Sequence, residues 1–420
     1  MKSRVSFFIA LRYLLGRAHE GGRYLRGAAA GIAVSLIPII ITLIVADGMI
    51  HGIMDRYLEL GTGHIQVFNY LDPENLSEAE NKIKDQEGIR GVWQEQRSMG
   101  ILTGKGGRTG AAIRALEPSF WEDPGSAGYL VTNSGIAAVE SDRDMLLGES
   151  LASAVGAEVG DTVRLMTVRS SAAGRIPRIS AFTVKGIVSS GYHELDALWC
   201  IISLDSGRRI LSEESSSASL IVKIDDPYNG IESASHSLYA LLGSPYSVYT
   251  WKELMRSQYS SYESTRQLLL FIMALIVIVA AVNVSSATSM LVLERQRDIA
   301  VLKVSGAGVR GTWGIFIWGS FLTGLCGAVI GITLGLLLGM NINPLIRSLE
   351  KLLSFFSGLF NGEEVKILDP GFYLETIPII VNWTMVFLVG CFTIACSCIA
   401  SWIPALRAGR LKPMDLLRKY

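Results

Sequence analysis

Long uncharged apolar runs alternate along this chain with charged and strand-patterned stretches. Four runs contain no Asp, Glu, Lys or Arg: Gly27 to Ala46, Gln267 to Leu293, Gly311 to Ile346 and Thr376 to Leu406, of 20, 27, 36 and 31 residues. A helix rising 1.5 Å per residue needs about 20 apolar residues to cross a bilayer core. Buried helices of soluble cores are rarely uncharged on every face over such lengths. Four transmembrane helices are therefore predicted, at 27–50, 267–293, 311–340 and 377–404. The first run starts late and is long for a signal-peptide core, and Val45-Ala46-Asp47-Gly48-Met49 has no clear small-x-small cleavage site, so it is expected to be retained.

Between 51 and 266 the pattern changes to short β-rich runs with turn residues between them. His64-Ile65-Gln66-Val67-Phe68, Thr162 to Met166, Phe182 to Val188 and Leu220 to Ile224 read as strands, and Asn75 to Gln86 and Tyr228 to Leu242 as helices. This predicts an α+β domain. The polar stretch Ser215-Ser216-Ser217 is a candidate subdomain boundary, after which a strand and helix return to pack on the first part.

Composition agrees with a membrane protein: half the residues are hydrophobic and 18% are charged, against the roughly 25% usual in soluble domains. The 38 basic and 38 acidic side chains cancel, which removes the basic excess of a nucleic-acid binder. Their placement is uneven. Residues 1–26 hold Lys2, Arg4, Arg12, Arg17, Arg23 and Arg26 against Glu20, segment 294–310 holds four basic residues, and the tail 405–420 holds five against Asp415. The positive-inside rule puts all three in the cytoplasm, with domain 51–266 and loop 341–376 on the far side. The apolar, arginine-flanked stretch Phe7 to Leu15 is expected to lie along the inner surface.

Little in the chain suggests catalysis. Cys326, Cys391, Cys396 and Cys398 fall in the spans, leaving Cys200 alone outside, and the five histidines have no metal-ligand spacing. Gly100-Ile-Leu-Thr-Gly104-Lys105 has one residue too few between its glycines for a phosphate loop and no Ser or Thr after the lysine; it reads as a hairpin turn. Two features invite a mechanical role. Gly327, Gly331, Gly335 and Gly339 recur every four residues and form a bare helix stripe, for contact either within one subunit or across a dimer. Glu294-Arg295-Gln296-Arg297-Asp298-Ile299-Ala300-Val301-Leu302-Lys303-Val304-Ser305-Gly306-Ala307 forms a short charged helix closed by glycine, with Ile299 and Leu302 as an apolar ridge. It is either a docking helix for a soluble partner or a solvated turn.

That segment resembles the coupling element of the FtsX-like permease family, the membrane subunits of MacB-type ABC transporters, with pattern E-x-x-R-E-I-A-x-L-x-A-x-G-A. Asp298 and Val304-Ser305 are mild departures from it. Ile403 to Arg418 resembles the family's closing motif. Phe8 to Leu14, Asp47-Gly48-Met49, and Leu146 to Ala152 with Val159-Gly160-Asp161 are similar to the lipoprotein-releasing LolC/LolE branch. The resemblance spans the chain. It implies an α-helical membrane protein with four transmembrane helices plus an α+β extracytoplasmic domain, a split porter subdomain with an inserted second subdomain, in a type VII ABC permease of the inner membrane.

The resemblance further implies a second permease, either a copy or a paralogue, a separate LolD-like ATPase binding ATP and Mg, and lipoprotein cargo passed to a LolA-like carrier; this chain would hold no cofactor itself. The implied coupling residues are Glu294, Arg295, Arg297, Asp298, Ile299, Leu302, Lys303 and Gly306. Gly174-Arg175-Ile176-Pro177 resembles the family's carrier hook, and otherwise reads as a turn. The outer halves of spans one and two offer a lipid cavity, with Leu43, Met49, Ile50, Ile53, Leu268, Leu269, Phe271 and Ile272 as candidates, for which ordinary packing or lipid contact is the alternative. A MacB-like efflux permease, an FtsX-like cell-wall regulator and a membrane-tethered sensor are the competing readings.

Overall fold

The computed structural model describes residues 3–15, 21–72, 76–132, 139, 141–171, 174–212, 216–358 and 377–410. They form two compact units: a helical one from residues up to 49, from 262 to 358 and from 377 onward, and a mixed α/β one from 50–261.

Among the described residues, four helices are long and apolar enough to cross a membrane. The first span lies in Gly21–Arg56 and passes through Pro38 without a break. The second lies in Arg256–Glu294, the third is Val309–Met340 and the fourth Trp383–Ala400. The second helix begins eleven residues before its apolar run because 256–266 contains neither Gly nor Pro, and helix propagation is cheap once a long segment is nucleated. The fourth begins later than its run. Pro378 keeps its neighbourhood extended, and Asn382 caps the helix by accepting from the Met385 N–H at 3.2 Å.

The glycine stripe decides how spans one and three pack. A Cβ on Gly327 would meet Ile32, one on Gly331 would meet Leu36, one on Gly335 Ile40 and one on Gly339 Ile44, all within 3.0 Å. The paired residues climb together, so the two helices run parallel, as a single return crossing between them requires. Close backbone approach gives dispersion contact where lipid offers no hydrophobic drive. The stripe is thus used within the subunit, and the alternative of a dimer contact is corrected: all four glycines are buried against span one. Nearer the other end, Thr288 shares hydrogen bonds with Ser320 at 3.1 Å and Ser401 at 3.4 Å, tying spans two, three and four by buried hydroxyls.

Within loop 341–376, Ile342–Gly358 is a helix. The preceding segment Ser3–Leu15 is also helical.

In the α/β unit the strands are β1 (Ile65–Asn69), β2 (Ile89–Thr103), β3 (Arg108–Leu116), β4 (Val131–Thr132), β5 (Asp144–Gly148), β6 (Thr162–Ser171), β7 (Gly174–Ser189), β8 (Trp199–Ser203), β9 (Ser216–Ile224) and β10 (Tyr246–Thr250). Their order is β10-β1-β9-β2-β3-β8-β5-β7-β4, and β6 pairs both β2 and β7. Following the pairs from β2 through β3, β8, β5, β7 and β6 returns to β2, a closed six-stranded ring. Leu102, Ile113, Met145, Leu147, Leu165 and Phe182 fill its core. The open lobe, β10-β1-β9 with the first half of β2, carries helices Ser77–Lys84 and Ile231–Leu242.

One lobe is therefore built from chain before and after the other, and β2 runs through both. Ser216 and Ser217 already belong to β9, so the expected boundary is the start of the returning strand; Ser215 lies outside the described residues. Gly104 to Gly107 joins β2 to β3 as a hairpin.

Candidate functional site

The charged helix after span two covers Gln296–Val304. Its end is a Schellman closure: Ala307 N–H donates to Leu302 O at 2.9 Å, Gly306 N–H donates to Lys303 O at 3.0 Å, and Gly306 takes φ +91°. A side chain at Gly306 would oppose that backbone. At the start, Arg295 reaches Asp298 at 3.1 Å and lies over the Tyr13 ring at 5.2 Å.

The structure turns this helix differently from the expected ridge. Ile299 is 1% exposed and joins Ala10, Leu25, Phe316, Ala405 and Ala408 in one buried cluster, while Leu302 is half-buried. The outward face is Glu294, Arg297, Val301 and Val304, the two valines 57% and 69% exposed. Ile299 is thus a packing residue and is corrected as a docking one. The reason is the helix Trp402–Arg410, which holds the first part of the closing motif: Ala405 and Ala408 are small enough to let it lie on the Ile299 side, and Lys303 Nζ donates to Gly409 O at 2.7 Å. Two motifs a hundred residues apart in sequence therefore form one surface, with Arg407 and Arg410 exposed beside it. Residues 411–418 of that motif lie outside the described residues.

Asp47-Gly48 also gains a physical account. Asp47 pairs with Arg266 at 3.3 Å, and a Cβ on Gly48 would sit 2.0 Å from the Pro378 carbonyl oxygen. Span one, the start of span two and the approach to span four meet there.

The hook-like segment opens β7. Gly174 faces Ser171, Arg175 faces Ser170, Ile176 faces Arg169 and Pro177 faces Val168. In this stretch β6 and β7 pair only with each other among the described residues, so a two-stranded ribbon extends beyond the ring. Proline is tolerated where a strand lacks a second neighbour. Ile176 and Ile179 are exposed on it, with Val168 opposite and Met99 and Ile101 exposed on β2. Ile179, Val168, Met99 and Ile101 were not legible as site residues, since each sits in an ordinary strand pattern.

The eight cavity candidates do not share one space. Leu43 is 3% exposed and packs into the bundle with Met273, Val277 and Val386, and Leu269 is half-buried against the same cluster. Leu268, Phe271 and Ile272 point away from it, Phe271 being 70% exposed. Met49 and Ile50 are half-buried and Ile53 is buried. Leu43 and Ile53 are corrected to packing residues; the outward apolar face belongs to span two.

Sequence reading missed a buried charge cluster in the α/β unit. Past Arg56 the chain continues as a π-helical turn, Tyr57–Thr62. Lys223, wholly buried, contacts Glu59 at 3.0 Å and Asp123 at 2.8 Å, and donates to Ser126 at 2.6 Å. His64 and Arg90 also reach Glu59. Arg114 pairs with Glu95 at 2.6 Å and donates to the carbonyls of Leu60 and Gly61, and Arg97 donates to Gly61 as well. Cations therefore satisfy the carbonyls that a helix end leaves open. Burial pushes the Arg114 guanidinium down to about 10. Burial pushes the Asp123 carboxyl up, but the hydrogen bond and charge of Lys223 outweigh it and hold Asp123 below its ordinary range. The available signal was a lone lysine inside the apolar strand Leu220-Ile221-Val222-Lys223-Ile224. Among the described residues no three His, Cys, Asp or Glu converge as a metal site, and the described cysteines are unpaired thiols.

Among the described residues, four apolar helices, an α/β unit between the first and second, and an anchored charged helix directly after the second make up the architecture of a multi-span membrane protein. Residues 270–413 match the FtsX-like permease C-terminal family, and residues 27–234 match the MacB-like periplasmic core domain. The chain belongs to the FtsX-like, MacB-type permease family, in its LolC/LolE branch. It is 27% identical to the lipoprotein-releasing system transmembrane protein LolC of Neisseria meningitidis serogroup B, over 98% of both chains. It is 23% identical to LolE of Haemophilus influenzae over 99% of both. Among solved structures, the periplasmic region of MacB from Actinobacillus actinomycetemcomitans aligns at 19% identity over 48% of this chain and 95% of that one, with a TM-score of 0.32.

Proposed function

We propose that this chain is the permease subunit of an ATP-driven system that lifts lipoproteins out of the inner membrane and hands them to a soluble periplasmic carrier. The observation that carries this reading is end-to-end similarity to relatives named for lipoprotein release, with 98–99% of the chain covered. ATP and Mg bind a partner ATPase, which docks on the cytoplasmic face beside both chain termini. A second permease, identical or paralogous, completes the transporter.

The physical task is large, since each acyl CH2 withdrawn from the bilayer costs about 0.8 kcal/mol. The outward face of span two, including Leu268, Phe271 and Ile272, supports a role in giving acyl chains a temporary apolar surface. Arg297, Val301 and Val304 offer the ATPase an exposed grip. Their helix is pinned by Ile299 and Lys303 to the tail helix and to the bundle, which supports force transfer without slack. The ribbon carrying Ile176 and Pro177 supports carrier contact through exposed apolar side chains on a rigid root.

Proteoliposomes containing the permease, its ATPase and a fluorescent lipoprotein test this reading, with transfer to added carrier as the readout. Val301→Asp with Val304→Asp is expected to cut ATP-dependent transfer by at least about thirtyfold, the loss of roughly 2 kcal/mol at an interface centre. Ile176→Asp with Pro177→Gly is expected to abolish carrier capture while ATPase assembly persists. Unchanged transfer in the first variant removes the docking face, and unchanged capture in the second removes the hook. No lipoprotein transfer by the unaltered complex rejects the function itself.

A further inference from the structure

The helix Ile342–Gly358 starts two residues after span three ends at Met340. Spans one and three run parallel, so this helix emerges on the side of the membrane where the first span ends. Its sequence is strongly two-sided. At 100° per residue, Leu345, Leu349 and Leu352 fall within one narrow stripe, and Asn343, Arg347, Lys351 and Ser354 fall on the other side.

Its roll is fixed. The Asn343 side chain donates to Ile377 O at 2.9 Å and accepts from Ile377 N–H at 3.1 Å, fastening that residue to the segment before span four. Buried Ile342 and half-buried Ile346, Glu350 and Ser354 lie on the inward side, with Arg347 and Lys351 exposed on one flank of it and the leucine stripe on the other. The leucine stripe faces outward as a result. Leu349 is 48% exposed and Leu352 is 53% exposed, unusual for large apolar side chains on a helix held at this end of a bundle. The stripe is also continuous along the chain with an outward apolar face of span three, through Ile330, Leu334, Leu337 and Met340, which is the face a transmembrane helix shows to lipid.

We propose that Ile342–Gly358 is an interfacial anchor, lying along the membrane surface with Leu345, Leu349 and Leu352 in the acyl region of the leaflet on the side where span one ends. The occupant is phospholipid, because the helix begins at the membrane boundary and its exposed stripe prolongs a lipid-facing surface. Arg347 and Lys351 stand away from the stripe, where their long stems let the charges reach the headgroups. A helix of this kind sits parallel to the interface, its apolar face buried about 5–10 Å into the headgroup and acyl boundary. It holds the outer end of span three at a fixed depth. It also fills part of that leaflet's acyl volume beside the permease, in the layer where departing acyl chains must be released.

The test uses the unaltered chain in bilayers containing a phospholipid with a diazirine on its acyl chain, with adducts mapped by mass spectrometry after irradiation. Adducts at Leu345, Leu349 or Leu352 are expected alongside those on span three. Adducts on span three with none on this helix overturn the proposal. A second measurement locates whatever covers the stripe. With Cys200, Cys326, Cys391, Cys396 and Cys398 replaced by alanine, nitroxides are placed singly at positions 347, 349, 351 and 352. The ratio of oxygen to nickel-chelate collision is expected to be higher at 349 and 352 than at 347 and 351, because oxygen partitions into hydrocarbon and the polar chelate stays in water. Equal ratios mean the stripe lies in water. Low collision with both reagents at 349 and 352 means protein covers it, whether a second permease or another part of this chain. Either result overturns the lipid assignment.

Discussion

Alanine at Gly331 perturbs the third span where it meets the backbone of span one. The new Cβ would lie 2.8 Å from the Ala33 carbonyl oxygen, 2.8 Å from Leu36 Cβ and 2.9 Å from Ala33 Cα. Two of these atoms are backbone and cannot swing aside. Ordinary carbon contacts fall near 3.5–4.0 Å, so spans one and three must part locally by about 0.7–1 Å. That opens the contacts at Gly327 and Gly335 as well, since all three meet the same helix. Overpacking of this order costs about 1–3 kcal/mol, partly offset by alanine's better helix propensity of up to ~1 kcal/mol. The expected outcome is a net loss of about 1–2 kcal/mol, read as a drop of several degrees in the unfolding midpoint of the protein in nanodiscs. Gly31→Ala is the matched control: nothing lies within 4 Å of its Cβ position, so the midpoint should hold or rise. If Gly331→Ala left the midpoint unchanged and instead altered association between permeases, the stripe would serve a dimer contact and the packing argument would fail.

Removing the buried cation in Lys223→Met should destabilise the α/β unit by about 3–5 kcal/mol, because Asp123 loses its closest compensating charge and Glu59 loses its wholly buried one; denaturant unfolding checks this, and a loss under 1 kcal/mol would contradict it. The same cluster sets an acid limit. Asp123 titrates below its unfolded value near 3.9, so its stabilisation is complete above that pH and is lost as pH falls through the lower folded value. Midpoints measured from pH 5 to pH 2.5 should therefore fall more steeply in the natural protein than in Asp123→Asn. Along the outer spans, Phe271→Asn should reduce lipoprotein transfer with little change in stability, whereas Leu43→Ala should cost about 2–5 kcal/mol of bundle stability. Equal stability losses in the two variants would show that Phe271 is not on an outward face.

The four spans were legible because an uncharged run of membrane length has few other uses. The amphipathic helix at 342–358 was not: the uncharged run extends through Ile346, which hides the break at Asn341 and leaves the leucine stripe looking like the end of a span. The docking helix itself was legible, but its orientation was not. Ile299 and Leu302 form one apolar edge and Val301 and Val304 another, and periodicity cannot say which one faces home. The choice is made by Ala405 and Ala408, more than a hundred residues away. The glycine spacing announced a close helix neighbour without naming it; the β-branched and leucine ridge of span one supplied the answer. The charge cluster around Glu59 was illegible for a similar reason, as its members come from five separate segments of chain.

The closed ring in the α/β unit has a consequence for the company this domain keeps. An open sheet presents rows of unsatisfied amides, and any extended polypeptide nearby is a candidate to add itself as another strand. In the ring, β2, β3, β8, β5, β7 and β6 close on one another, so the central residues of this lobe have no vacancy to fill. The projecting ribbon is rooted in that ring, and there β6 and β7 each keep one free edge beside exposed side chains such as Ile176 and Ile179. Such an architecture is selective by placement: a passing extended segment finds a strand edge to join on the ribbon or on the open lobe, and none along the closed ring.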